Sequence, residues 1–87
     1  DNVRVLLGGA ELLGDSTFDV ILANINRNIL LRDIPLYDKV LNRGGQIIMS
    51  GFYREDIPAI RTKGEEEGWT YLRFTEMDQW VAVTFMK

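Results

Sequence analysis

An asparagine closes an apolar run at Phe18-Asp19-Val20-Ile21-Leu22-Ala23-Asn24, and it is the residue of this chain best placed to do chemistry. Its amide both donates and accepts hydrogen bonds. A buried strand ending in such a group presents it at the carboxyl edge of a sheet, where open α/β folds bind ligands. The same amide, close to Asn26 and Asn28, also suits capping of a following helix, and on spacing alone that is the stronger role. Two other places share this character. Gly8-Gly9-Ala10 follows a strand-like run and either lets a ligand approach the backbone or simply turns the chain. Ser50-Gly51-Phe52 leaves another apolar run on the same edge, as a pocket wall or as ordinary loop.

The residue types that are missing narrow the chemistry. Among the 87 residues there is no Cys and no His. Disulfides, thiolate metal sites and Ser/His or Cys/His nucleophiles are excluded, together with the commonest general base and zinc ligand. No metal site is expected. What remains is Asn, Ser, Tyr, carboxylates, Lys, Arg and backbone groups, a set suited to a bound small molecule that carries its own reactivity. The net charge of −3 argues against direct nucleic-acid binding, which needs a basic face. A basic protein partner is compatible with that sign. No apolar run approaches the ~18 residues of a membrane span, and no signal peptide is present, so a cytoplasmic location is expected. The chain opens without Met in a strand-like run, from which a preceding segment is expected.

The elements that must position these groups follow from periodicity. Val3-Arg4-Val5-Leu6-Leu7 is a strand stopped by two glycines. Phe18 to Ala23 is nearly continuous in apolar character, which marks a strand buried on both faces, as in a parallel sheet. From Asn28 to Leu41, Leu30, Ile34, Tyr37 and Leu41 fall on one helical face, with a kink or fresh start expected at Pro35 and Asp33 available as its cap. Asn42-Arg43-Gly44-Gly45 ends that helix with left-handed glycine geometry.

Gln46 to Ser50 is the next strand. A second helix runs from about Glu55 to Glu67, with Ile57, Ile60 and Gly64 inward, Pro58 in its first turn and Gly68 as its stop. Gly64 weakens that helix slightly, and close packing on the sheet is the expected reason. Glu65-Glu66-Glu67 is a solvated face. Trp69 to Thr75 and Trp80 to Met86 alternate and form an antiparallel hairpin. Trp69 and Trp80 read as core or sheet-face packing rather than a binding cage. The expectation is one α/β unit whose sheet is mostly parallel, with a C-terminal antiparallel hairpin.

This order of elements resembles the second half of the Rossmann-like fold of class I S-adenosylmethionine-dependent methyltransferases. Phe18 to Ile25 resembles that family's fourth motif, a buried strand ending in Asn where the methyl group is transferred. Leu41-Asn42-Arg43-Gly44-Gly45 resembles its helix-to-strand turn, usually Leu-x-Pro-Gly-Gly, with Arg43 in place of Pro. Gly8-Gly9-Ala10-Glu11 resembles the segment that lies near the adenine. Within the superfamily, Ala23-Asn24-Ile25, Ile29-Leu30-Leu31, Ile48 to Phe52 and Trp80-Val81-Ala82 are similar to the bacterial family that methylates protein eleven of the large ribosomal subunit.

The resemblance spans essentially all 87 residues and implies a protein N-methyltransferase in its intact form. It implies S-adenosylmethionine as cofactor and a ribosomal protein as partner, with lysine or N-terminal amines as acceptors. Asn24 would be catalytic, and with Gly9, Ala10 and Ile25 would hold the donor; Ser50, Gly51 and Phe52 would face the substrate. The family's glycine-rich loop, the acidic residue that holds the ribose and the substrate-recruiting domain are not found in this sequence, so this chain alone is expected to be inactive. In the intact fold two strands separate those at Val3 to Leu7 and Phe18 to Ala23. Without them the second strand gains an open edge, through which the chain dimerises or swaps strands unless Val3 to Leu7 fills the gap. A non-catalytic, self-associating fragment is the alternative. Another is a relative acting on glutamine or a nucleic-acid base, which ranks lower because those families carry Asn-Pro-Pro-Tyr where this chain has Asn24-Ile25-Asn26-Arg27.

Overall fold

A computed structural model describes residues 3–6, 17–24, 26–78 and 80–87. Their strands are β1 (Val3–Leu6), β2 (Phe18–Asn24), β3 (Leu41–Phe52), β4 (Thr70–Met77) and β5 (Trp80–Met86). They form a single sheet in the order β1-β2-β3-β5-β4. Helix α1 (Arg27–Val40) joins β2 to β3; a 3₁₀ turn (Arg54–Asp56) and helix α2 (Ile57–Glu66) join β3 to β4.

The sheet is mixed, not mostly parallel. β1–β2 and β2–β3 are parallel, whereas β3–β5 and β5–β4 are antiparallel. The reason lies in the hairpin. β5 buries Val81, Val83 and Phe85, whereas β4 exposes Thr70, Arg73, Thr75 and Glu76. The apolar strand therefore takes the inner position beside β3 and leaves the polar one at the edge, which adds two antiparallel pairings.

β1 lies directly on β2, with Val3 opposite Val20 and Leu6 opposite Ala23. Of the outcomes expected for the open edge, this is the one in which the first strand fills the gap. It pairs β2 on both sides and moves the free edge to the four residues of β1, a short template for another chain.

Register explains where the core sits. Ile21, Ile47 and Phe85 are cross-strand neighbours, as are Ala23, Met49 and Val83, and all six are buried. On that face pack Ile34 and Tyr37 of α1 and Ile60 of α2, each fully buried. The alternate row of Leu22, Ile48 and Thr84 points to the opposite face, where Leu22 and Ile48 are only partly covered. β2 is thus buried on one face rather than both, because both helices lie on the same side of the sheet.

α1 runs through Pro35 without a fresh start, and Asp33 lies inside it rather than capping it. A proline removes one backbone donor and crowds the preceding turn. Here the fully buried Ile34 and Tyr37 on either side of it hold the helix to the sheet. Asp33 is itself 1% exposed and accepts hydrogen bonds from Arg32 Nε at 2.8 Å and Nη2 at 3.2 Å. β3 starts earlier than periodicity predicts: Leu41 pairs with Phe18, and an irregularity precedes the Val20–Gln46 pair. Gly44 sits there at φ +80, the left-handed conformation expected of this turn.

The second helix follows expectation closely. Pro58 is in its first turn and Gly68 ends it at φ +90. Gly64 is buried where an added Cβ would lie 2.5 Å from the Phe85 ring, so the close packing expected of it is present. Glu65 and Glu66 are exposed and pair with Arg61 and Lys63 along the helix. Trp69 is core, 3% exposed, stacked at a tilt on Phe85, and donates its indole N–H to Asp38 Oδ1 at 2.7 Å. Lys87 reaches the same residue, with Nζ 2.6 Å from the Asp38 carbonyl oxygen.

Candidate functional site

The polar side chains of interest meet at one edge because of strand register. Asn24 is opposite Ser50, and Ser50 is opposite Ala82. Successive strand residues alternate between faces. This row therefore continues the half-covered face, one step beyond Leu22, Ile48 and Thr84. It stands at the carboxyl ends of the parallel strands β2 and β3, where crossover helices begin and ligands bind in open sheets. α1 starts at Arg27, so Asn26, not Asn24, immediately precedes the helix. Asn24 is exposed and is not the capping residue.

A cavity of about 280 Å³ opens on this row, lined by Asn24, Ser50, Gly51, Trp80, Val81 and Ala82. Gly51 has φ +100 at the point where the β3–β5 register shifts, and its backbone turns the strand end there. A second cavity of about 280 Å³ adjoins it through Gly51 and is lined also by Asn26, Asn28, Phe52, Tyr53 and Asp56. Phe52 contributes to that wall, but its side chain belongs to the core, 2% exposed.

Of the residues singled out by sequence, Asn24, Ser50, Gly51 and Phe52 are brought together. Gly9, Ala10 and Ile25 lie outside the described residues.

Trp80 corrects the expectation. It is 52% exposed, lines the Asn24 cavity and stacks on the exposed Tyr53 with ring centroids 6.0 Å apart. The strand alternation of Trp80 to Met86 carried part of this signal: Val81 faces the core, so its neighbour Trp80 must not. Tyr53 was missed because it follows the strand end, where neither period applies.

The lining fits the reacting end of a sulfonium donor. Among the described residues that line the Asn24 cavity none is charged, and the aromatic Trp80 stands in its wall, a lining compatible with a cationic sulfur. Asn24 and Ser50 supply hydrogen-bonding groups that can hold either donor or acceptor. Among the described residues no group of His, Cys, Asp or Glu side chains is arranged to hold a metal ion. No helix among them is long and apolar enough to cross a membrane.

The family model described as ribosomal protein L11 methyltransferase (PrmA) matches residues 1–87. A ribosomal protein L11 methyltransferase of Phocaeicola vulgatus is 51% identical over 86 residues, covering 98% of this chain and 31% of that protein. The chain thus spans about a third of the length of the curated relatives it matches. Among solved structures, a ribosomal protein L11 methylase from Lactobacillus delbrueckii subsp. bulgaricus superposes with a TM-score of 0.81 at 30% identity, covering 92% of this chain and 42% of that one. An M1.HpyAVI–SAM complex gives a TM-score of 0.73 at 18% identity, over 98% of this chain and 55% of the other, which is a likeness of fold.

Proposed function

Because this chain belongs to the ribosomal protein L11 methyltransferase family over its whole length, we propose that it is the C-terminal part of the catalytic domain of an S-adenosylmethionine-dependent N-methyltransferase. Its acceptors are lysine or N-terminal amines of ribosomal protein L11, and it works in the cytoplasm. The observation that carries this reading is the position of Asn24. An exposed amide at the carboxyl end of β2 lines a cavity whose other described lining residues carry no charge. S-adenosylmethionine, when bound, supplies a methyl group already activated by the positive sulfur. What is left to the protein is alignment and exclusion of water.

The residues of this chain meet that need. The Asn24 carbonyl oxygen accepts a hydrogen bond from the acceptor amine and aims its lone pair into the cavity. Ser50, opposite it across the β2–β3 pair, offers a second polar contact, and Gly51 leaves room for the entering side chain. Trp80 forms the apolar wall. A free lysine has a pKa near 10.4 and must be neutral to react. A poorly solvated wall favours the neutral amine, so a chain without His is no obstacle. Gly9, Ala10 and Ile25 complete the donor side in this proposal, and Ser50, Gly51 and Phe52 the acceptor side.

The test is transfer of labelled methyl from S-adenosylmethionine to purified L11 by the full-length enzyme, with modified amines located by mass spectrometry. We expect Asn24→Ala to lower kcat by about a hundredfold, the scale for loss of one positioning or stabilising contact in a transition state. Undiminished transfer by that variant, with label on the same amines, would remove Asn24 from the reaction.

A further inference from the structure

Among the described residues four large apolar side chains are exposed, and two of them, Tyr53 and Trp80, are in contact at the end of β3 and the start of β5. Of the others, Phe74 lies opposite Val83 on the other face of the sheet and Leu36 is on α1. Tyr53 stacks on Trp80, and the Arg54 guanidinium carbon lies 5.6 Å from the centre of the Phe74 ring. Arg54 also reaches Glu76 across the gap between the 3₁₀ turn and β4, at 3.6 Å. Neither stacked ring belongs to the core: Tyr53 is 51% exposed and Trp80 52%. Exposed, stacked aromatics beside a polar rim are the anatomy of a protein-docking surface.

The rim names the partner. A trough of about 440 Å³ runs beside Tyr53 and Arg54, and its other described lining residues, Glu55, Glu76 and Asp78, are all acidic. Arg54 offsets one of the three. Asp78 is held there at φ 55, in the tight connection between β4 and β5. The surface is continuous with the transfer cavity, since Tyr53 lines this trough and Trp80 lines the cavity of Asn24.

We propose that the stacked Tyr53–Trp80 pair, with the acidic rim beside it, docks a basic segment of the protein substrate next to the amine to be methylated. This rests on the methyl-transfer reading above. Apolar stems of lysine side chains lie on the rings, and their ammonium heads meet Glu55, Glu76 and Asp78.

The probe is a synthetic peptide of alternating Lys and Ala, with its fully lysine-acetylated counterpart as control. Binding to the 87-residue chain is read by tryptophan fluorescence and by amide shifts in NMR spectra. The basic peptide should bind, the acetylated one should not, and shifts should centre on Tyr53, Glu76 and Trp80. Glu76→Gln with Asp78→Asn should weaken binding about tenfold, the scale for removing two rim charges. Asn retains the left-handed conformation at position 78, so folding is preserved. Equal binding of both peptides, no binding of either, or no effect of the double variant overturns the proposal.

Steady-state methylation of L11 by the full-length enzyme separates the two readings. An unchanged KM in the double variant, with transfer intact, overturns docking alone. Absence of transfer, with charge-dependent peptide binding retained, overturns the methyl-transfer reading and supports the surface.

Discussion

Replacement of Gly64 by alanine sets two physical effects against each other. Helix propensity favours the change, since alanine in a helix is better than glycine by about 1 kcal/mol. Packing opposes it. A Cβ at this position would lie 2.5 and 2.6 Å from Cε1 and Cζ of Phe85, far inside ordinary contact. A ring at the surface would swing aside at little cost. Phe85 is 0% exposed, with Trp69 5.6 Å and Tyr71 5.8 Å away between ring centroids, so it has no free direction. Forcing one carbon into a filled core costs about 1–3 kcal/mol, and an overlap of this size belongs near the top of that range.

Subtraction of the propensity gain leaves Gly64→Ala destabilising by about 1–2 kcal/mol. Urea unfolding followed by far-UV circular dichroism measures it, and for a domain of this size each kcal/mol moves Tm by about 4–8 °C. Phe85→Leu provides the control, because a smaller side chain should relieve the clash and make the two changes less than additive. A Gly64→Ala chain more stable than the parent, or strict additivity with Phe85→Leu, would show that the helix rides away from β5 and that this contact does not limit it.

Other outcomes follow from single contacts. The two glycines of one turn should differ: Gly45→Ala places a Cβ 2.8 Å from the carbonyl oxygens of both Asn42 and Asp19 and should cost about 3 kcal/mol. Gly44→Ala meets nothing within 4 Å and should cost about 1 kcal/mol for its positive φ alone, a difference visible in urea midpoints. Trp69→Phe removes the 2.7 Å bond to Asp38, a partly exposed carboxylate also held by Lys87, and should cost about 1–2 kcal/mol in thermal unfolding. Asn24→Ala, at an exposed strand end, should leave stability within about 0.5 kcal/mol while lowering methyl transfer, which separates a site residue from a structural one. Acrylamide should quench Trp80 readily and Trp69 hardly at all, as single-tryptophan variants would show.

The sequence by itself determined the elements and the strand-end position of Asn24. Period and punctuation sufficed for β2, α2 and the hairpin, because alternation, a proline in the first turn and a terminal glycine are local signals. Asn24 was legible for the same reason: a polar side chain that closes an apolar run stands at a strand end wherever that strand lies. Tertiary structure decided what depends on neighbours distant in sequence. That β5 rather than β4 lies against β3 was settled by which strand had more apolar surface to bury. The passage of α1 through Pro35 was settled by Ile34 and Tyr37 reaching the core on either side of it. The direct pairing of β1 with β2, and the side of the sheet on which both helices lie, are choices among strand edges and faces that no local pattern encodes. The same holds for Trp80. Its residue type suits a core and an exposed wall equally, and only the register of β5 against β3 turned it toward Asn24 and Tyr53 instead of inward.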